Sequence, residues 1–261
     1  MAHGMLVGNA TITNNALMLP GTSGNYVNLP GGLVCGSGAA TIEFWAAFAT
    51  NGDWAPVFDF GNISGSDGQN YLAFSPHASA NSVELQSTTT DGTLTITSPE
   101  TFDNLSLHVV CIIDPANGYG TIYTNGVLLC AATNTTPLLN SISAAWSFIG
   151  RSLFAADPWL NATIDEFRIY DGRLTPAEIA ANNQFGPGAT SLPISLAVAA
   201  GVSNITLSWP SYAVGYAAES SPTLGASALW SSVSGSPTLA SNQWRQTLPA
   251  TNKATFFRLM R

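Results

Sequence analysis

Thr41-Ile42-Glu43-Phe44-Trp45-Ala46-Ala47-Phe48 places apolar side chains at every second position, with Ile42, Phe44, Ala46 and Phe48 in one set. Successive side chains on a strand point to opposite faces, so these four share a face and predict a half-buried strand. Outward from it, short apolar runs recur at 57–60, 71–74, 83–86, 94–97, 105–114, 119–124, 146–150 and 163–170. Turn residues divide them about every eight to twelve positions, the punctuation of a β-sandwich or barrel. Thr175-Pro176-Ala177-Glu178 is the exception. It is a capping box with proline at the first helical position, and predicts a helix from 176 to about 182.

The stretch Gly186-Pro187-Gly188, continued by Ala189-Thr190-Ser191, reads as a linker over 186–193. It separates a larger domain, 5–185, from a smaller one, 194–261. Ile205-Thr206-Leu207-Ser208-Trp209 and Phe256-Phe257-Arg258-Leu259 suggest that the smaller domain is a second, small β-sandwich.

Charged residues make up 8% of the chain and hydrophobic residues 46%, against about 25% charged in a typical soluble domain. Solubility therefore rests on Ser, Thr, Asn and Gly. The net charge is −8 and Lys253 is the only lysine. Cations this scarce argue against nucleic acid and against anionic membranes as partners. No run of about 18 apolar residues predicts membrane insertion. No signal peptide is visible, and Met1-Ala2-His3-Gly4 reads as an expression leader.

Cys35, Cys111 and Cys130 do not make a disulfide framework. Cys111 and Cys130 fall on strands either side of 119–124, with Asn125-Gly126 as a tight hairpin turn. Two strand spacings put them about 10 Å apart, beyond the roughly 7 Å that a disulfide spans. Both are expected to be buried free thiols, and Cys35 a loop thiol.

Ile149-Gly150-Arg151-Ser152, then Asp157-Pro158-Trp159-Leu160-Asn161-Ala162-Thr163-Ile164-Asp165-Glu166-Phe167-Arg168-Ile169-Tyr170, then Leu174-Thr175-Pro176-Ala177-Glu178-Ile179, resemble the closing strand and short helix of laminin-G-like lectin domains. Thr41-Ile42-Glu43-Phe44-Trp45 and Trp54-Ala55-Pro56-Val57-Phe58-Asp59-Phe60-Gly61 agree. The latter resembles the version appended to bacterial arabinan- and xylan-degrading enzymes. The resemblance spans about 6–183 and implies an all-β, two-sheet antiparallel jelly roll of the concanavalin A type. Such domains bind sugars, bind proteins or space other modules. Leu107-His108 stands where the family often has Trp-His, and Asn161-Ala162 where it often has Asn-Gly. Residues 194–261 resemble short C-terminal β modules of large secreted proteins from environmental bacteria. Composition and resemblance together point to a secreted or cell-surface protein.

Glucanases of this fold carry acids as Glu-x-Asp-x-Glu or Glu-x-Asp-x-x-Glu along one strand, so that the carboxylates converge. None of Glu43, Glu84, Glu100, Glu166, Glu178 and Glu219 begins such a pattern. His77 and His108 lack a nucleophile elbow, and no zinc spacing or phosphate loop occurs. A non-catalytic protein is expected. If Phe167 and Ile169 face the core, Asp165 faces it too, and a buried carboxylate needs a cation or donors. Structural calcium, held by Asp165, Asn25 and carbonyls of the loop from Gly21, is one answer, and the resemblance supports it. A salt bridge to Arg151 or backbone amides is the other.

Phe44, Phe58, Phe60, Phe74, Phe148 and Phe167 sit in strand patterns and read as core. Trp54, Tyr119 and Trp159 sit in or beside loops rich in Gly, Asn and Asp, with Asp157 close by. Flat rings beside carboxyl and amide groups suit the C–H faces and hydroxyl rims of sugars. Alternatively, each ring caps the end of the sandwich. Six Asn-x-Ser/Thr sequons occur, at Asn9, Asn62, Asn104, Asn134, Asn161 and Asn204, and composition explains most of them. Two functions remain: a carbohydrate-binding module of a polysaccharide-processing or surface protein, or a structural, adhesive module that contacts protein or spaces other domains.

Overall fold

The computed structural model describes residues 3–133, 139–142, 145–189, 193–240, 243–251 and 254–261. The sequon at Asn134 and linker residues 190–192 lie outside them. Two compact units divide the chain, Met1–Gly188 and Ala189–Arg261.

Among the described residues, the first unit holds fourteen strands and one α-helix. They are β1 (Met5–Val7), β2 (Thr11–Thr13), β3 (Ala16–Pro20), β4 (Tyr26–Leu29), β5 (Ala40–Phe48), β6 (Phe58–Ser64) and β7 (Asp67–Ala78). After them come β8 (Ser82–Thr89), β9 (Gly92–Ser98), β10 (Ser106–Asp114), β11 (Tyr119–Thr124), β12 (Val127–Ala132), β13 (Trp146–Ile149), β14 (Asn161–Asp171) and α1 (Pro176–Phe185). Two seven-stranded antiparallel sheets form a jelly-roll sandwich, in the orders β1-β4-β13-β6-β7-β8-β9 and β12-β11-β10-β5-β14-β3-β2. The former is called the front sheet below, the latter the back sheet.

The core lies between the sheets. Ile42, Phe44, Ala46 and Phe48 of β5 meet Phe58 and Phe60 of β6 and Leu72 and Phe74 of β7 there, with Phe167 packed against them. Phe44, Phe58, Phe74 and Phe167 are in mutual ring contact. The opposite side of β5 is buried as well, Glu43 and Trp45 included. Helix α1 explains this: Ile179 and Leu174 pack on Val110, Ile112 and Tyr123 of the back sheet's outer surface. The helix carries the expected capping box and runs three residues beyond Asn182, ending at Gly186, whose N–H bonds to Asn182. The strands before residue 30, too short to give a period, escaped the sequence reading.

Cys111 and Cys130 both pair with Ile122, one from each side of β11, and all three cysteines are free. Cys111 is buried as expected, whereas Cys130 is only partly so, because β12 is the edge strand of its sheet. Asn125 and Gly126 turn with φ of 50° and 80°, both in the left-handed region that such a hairpin needs.

In the second unit, β15 (Ala197–Ala200), β16 (Asn204–Pro210), β17 (Ala217–Ser221), β18 (Ser231–Ser232), β19 (Thr238–Ala240), β20 (Gln243–Pro249) and β21 (Phe256–Met260) make two small sheets. Their orders are β15-β16-β20-β19 and β18-β17-β21. Leu207, Trp209, Ala213 and Ala218 form the core of this small sandwich, with Trp244, Phe257 and Leu259 packed on it.

Candidate functional site

The front sheet's outer surface is built by register. Phe148 pairs with Asp59, Asp59 with Ala73, Ala73 with Gln86 and Gln86 with Thr95, so five adjacent strands present one row outward. Tyr71, Ser75 and Glu84 stand outward beside that row by the same period of two. Gly61 permits the close approach of β7: an added Cβ there would lie 2.8 Å from the Asn70 carbonyl oxygen.

Two adjoining cavities open on this surface. The inner one, of about 40 Å³, is lined by Asp59, Tyr71, Glu84, Gln86, Ser152 and Asp157 with Trp54 and Phe154. That is room for one hydroxyl- or water-sized group, not for a sugar ring. The outer one, of about 310 Å³, shares Ser152, Phe154 and Asp157 and adds Arg151 and Trp159. Phe154 meets Tyr71 edge to face at 5.4 Å, and the Tyr71 hydroxyl donates to Gln86.

Asp59 is 1% exposed. Its Oδ2 accepts the Leu153 N–H at 2.9 Å and faces the Ser152 hydroxyl at 3.4 Å, while Oδ1 has no protein partner. Burial, helped by the charge of Asp157, pushes its carboxyl up to about 8 against those two hydrogen bonds. Glu84 is raised by burial alone, and its Oε1 is also without a partner. Asp157 accepts the Ser152 hydroxyl at 2.7 Å, and burial still raises it. Beside this acidic half lies an aromatic one. Tyr26 meets Phe148 and Trp159 at 5.3 and 5.7 Å, Trp146 stacks on Phe148 at 5.9 Å, and the Arg151 guanidinium lies 4.5 Å from the Phe148 ring centre.

Of the residues expected to bind ligand, the structure gathers Trp54, Asp157 and Trp159 at these cavities. Trp54 sits at φ 70°, a conformation that L residues rarely adopt, held by its N–H to the His77 carbonyl at 2.8 Å. Tyr119 belongs elsewhere: it begins β11 of the back sheet and stacks under Arg173 at 4.3 Å. Phe148, read as core, is buried but faces outward beneath the aromatic half. Asp59, Tyr71, Glu84, Ser152 and Phe154 were missed. The signal was present in Asp59 and Glu84, acids alternating with apolar residues in core strands.

Asp165 does not face the core. The register slips between Ile164 and Glu166, so Asp165 is the extra residue of a β-bulge and is exposed. Ile164 and Phe167 both point inward, three residues apart. Arg151, its alternative partner, donates to the Tyr26 hydroxyl on the front sheet at 3.0 Å. Gly21 abuts Asn161, four residues back along β14 from Asp165. Asn25 is buried with its amide committed: Oδ1 accepts the Asn9 N–H, and Nδ2 donates to Thr22 O at 2.9 Å and Thr22 Oγ1 at 2.6 Å. Two of the loop oxygens offered to calcium, both of Thr22, thus converge on an amide nitrogen, and with Asp165 exposed and Asn25 committed the named residues do not fit a calcium site.

The back sheet's outer surface is different. Glu43, fully buried, receives His108 Nε2 at 2.9 Å, the Tyr170 hydroxyl at 2.6 Å and Asn182 Nδ2 at 2.9 Å, with Arg168 at 3.4 Å. Burial raises its carboxyl, but the bonds from His108, Tyr170 and Asn182 outweigh it and the net direction is down. Asn182 comes from α1, so this network pins the helix to the sheet.

The profile of the Concanavalin A-like lectin/glucanases superfamily matches residues 20–180, and the chain belongs to that superfamily. No match is found among curated proteins. Among solved structures, domain 4 of AbnA, a GH43 extracellular arabinanase from Geobacillus stearothermophilus, in complex with arabinotriose, is similar at TM-score 0.54 and 23% identity, covering 68% of this chain and 86% of that one. The Ruminococcus gnavus IT-sialidase CBM40 is similar at TM-score 0.50 and 15% identity, covering 58% and 85%. At these identities the likeness is one of fold.

Proposed function

We propose that the first unit is a non-catalytic carbohydrate-binding module of an extracellular polysaccharide-processing or surface protein. The observation that carries this is the front sheet's outer surface, where aromatic rings flank carboxyl, hydroxyl and amide groups around two adjoining cavities. Rings cover the apolar faces of a sugar while the polar groups meet its hydroxyls. The arabinotriose complex of the arabinanase domain and the sialyllactose complex of the sialidase CBM40 support the reading. On the other surface, His108 is engaged in anchoring a helix through Glu43, which favours binding over catalysis.

The test is native electrophoresis through gels containing neutral or acidic polysaccharides. The parent protein is expected to be retarded by at least one polymer without releasing reducing ends from it. Trp54→Ala and Trp159→Ala should each weaken retardation by about 0.5–1.5 kcal/mol, the worth of a ring contact, while both variants still melt cooperatively. Retardation by none of the polymers would favour a surface module that contacts protein or spaces domains.

A further inference from the structure

We propose that the front-sheet cleft selects an uncharged, hydroxyl-bearing sugar, one hydroxyl of which enters the inner cavity and meets the unpartnered oxygen of Asp59. The proposal rests on the carbohydrate-binding reading and names the chemistry of that site.

Among the described residues, three carboxyl groups, Asp59, Glu84 and Asp157, line the inner cavity, and no lysine, arginine or histidine does. Asp59 and Glu84 are 1% and 8% exposed, yet each keeps one oxygen without a protein hydrogen bond. A buried polar atom left without a partner is costly, and a ligand that satisfies it recovers that cost. With Asp59 raised to about 8, the group is a carboxylic acid near neutral pH. Oδ2 already accepts the Leu153 N–H, so the proton belongs on Oδ1, which becomes a donor. A sugar hydroxyl accepts from such a donor and so satisfies it. The cavity of about 40 Å³ admits a single such group while the ring lies in the adjoining space of about 310 Å³.

A ligand carboxylate in the inner cavity would face Asp157 and Glu84 with no cation beside it. Ionisation of Asp59 removes the donor and adds a charge of the same sign as Asp157. The other titratable groups around Asp59 are Tyr71 on β7, Glu84 on β8 and, on the Phe148 ring of β13, Arg151. Arg151 lines only the outer cavity, where it lies against Tyr26, Phe148 and Trp159.

The experiment measures retardation by arabinan, xylan, mannan, polygalacturonate and alginate at pH 6 and pH 9, and follows the Asp59 carboxyl by 13C NMR in the ligand-free protein. The expected result is retardation by a neutral polymer and by neither acidic one. Affinity should fall about tenfold from pH 6 to pH 9, as for one lost hydrogen bond to a charged or buried partner. Asp59→Asn keeps an acceptor for Leu153 and a donor toward the cavity but cannot ionise, so its pH 6 to pH 9 ratio should be near one. Preferential retardation by polygalacturonate or alginate overturns the selection while leaving carbohydrate binding intact. An Asp59 carboxyl that titrates in the ordinary range overturns it without any ligand. Retardation by no polymer, with Asp59 titrating high, defeats the carbohydrate reading itself.

Discussion

Glu43 and Asp59 occupy equivalent places. Each is a carboxyl on the outward side of an inner strand, one per sheet, and each is at most 1% exposed. Glu43 has both oxygens satisfied by His108, Tyr170, Asn182 and Arg168, and its carboxyl is held below the ordinary value. Asp59 has one oxygen satisfied and one free, and its carboxyl stands at about 8. Burial is the same, so the difference lies in partners: a carboxyl given donors is part of the scaffold, and one denied them is available to a ligand.

The largest effect should come from the satisfied side. Glu43→Ala leaves His108, Tyr170, Asn182 and Arg168 facing an empty position, and breaking a buried charged network costs about 3–5 kcal/mol. Urea unfolding should show that loss, with α1 detached from the back sheet. A loss below 1 kcal/mol would mean that Glu43 is no anchor, and the contrast with Asp59 would fail.

Removing the charge on the unsatisfied side should do the reverse. The folded value for Asp59, about 8, lies above the ordinary 3.8, so the native state holds a proton that the unfolded chain gives up between those pH values. The stability this contributes is complete below pH 3.8 and is lost as pH rises to about 8. Asp59→Asn should flatten that decline and make the protein more stable than the parent at pH 8, by on the order of a few kcal/mol, because an amide gives the unfolded chain no proton to release. Unfolding curves at pH 5 and pH 8 check this, and an unchanged pH dependence would contradict it.

Smaller effects test the margins. Tyr119→Ala, on the back sheet under Arg173, should leave retardation by polysaccharide unchanged where Trp159→Ala weakens it. Asp165→Ala removes an exposed bulge residue and should change stability by no more than about 0.5 kcal/mol. Chelator should leave the melting temperature unmoved, and a drop would restore calcium.

The sandwich was legible because alternation in 41–48 and turn spacing depend on local chemistry that the chain displays directly. Trp54, Asp157 and Trp159 stood out in the sequence because polar loops rarely carry large rings without reason, and the structure gathers them at the two cavities. Asp165 was misread because strict alternation cannot register a one-residue bulge, which reverses every side chain beyond it. Phe148 is buried as expected, but its outward direction was not legible, because an apolar residue at an outward position looks the same in sequence as one facing the other sheet. Asp59 and Glu84 escaped because an isolated acid in an apolar strand shows neither its partners nor their absence.

The most direct test of the central claim is NMR mapping of backbone amide shifts while oligosaccharide from a retarding polymer is titrated into the protein at pH 6. The account predicts that the largest changes fall on the front sheet and its loops, at Leu153, Gln86, Asp157 and Trp54, with the Tyr119 turn and the strands around Glu43 unmoved. Changes centred on β10 to β12, with the Asp59 cleft silent, would contradict it.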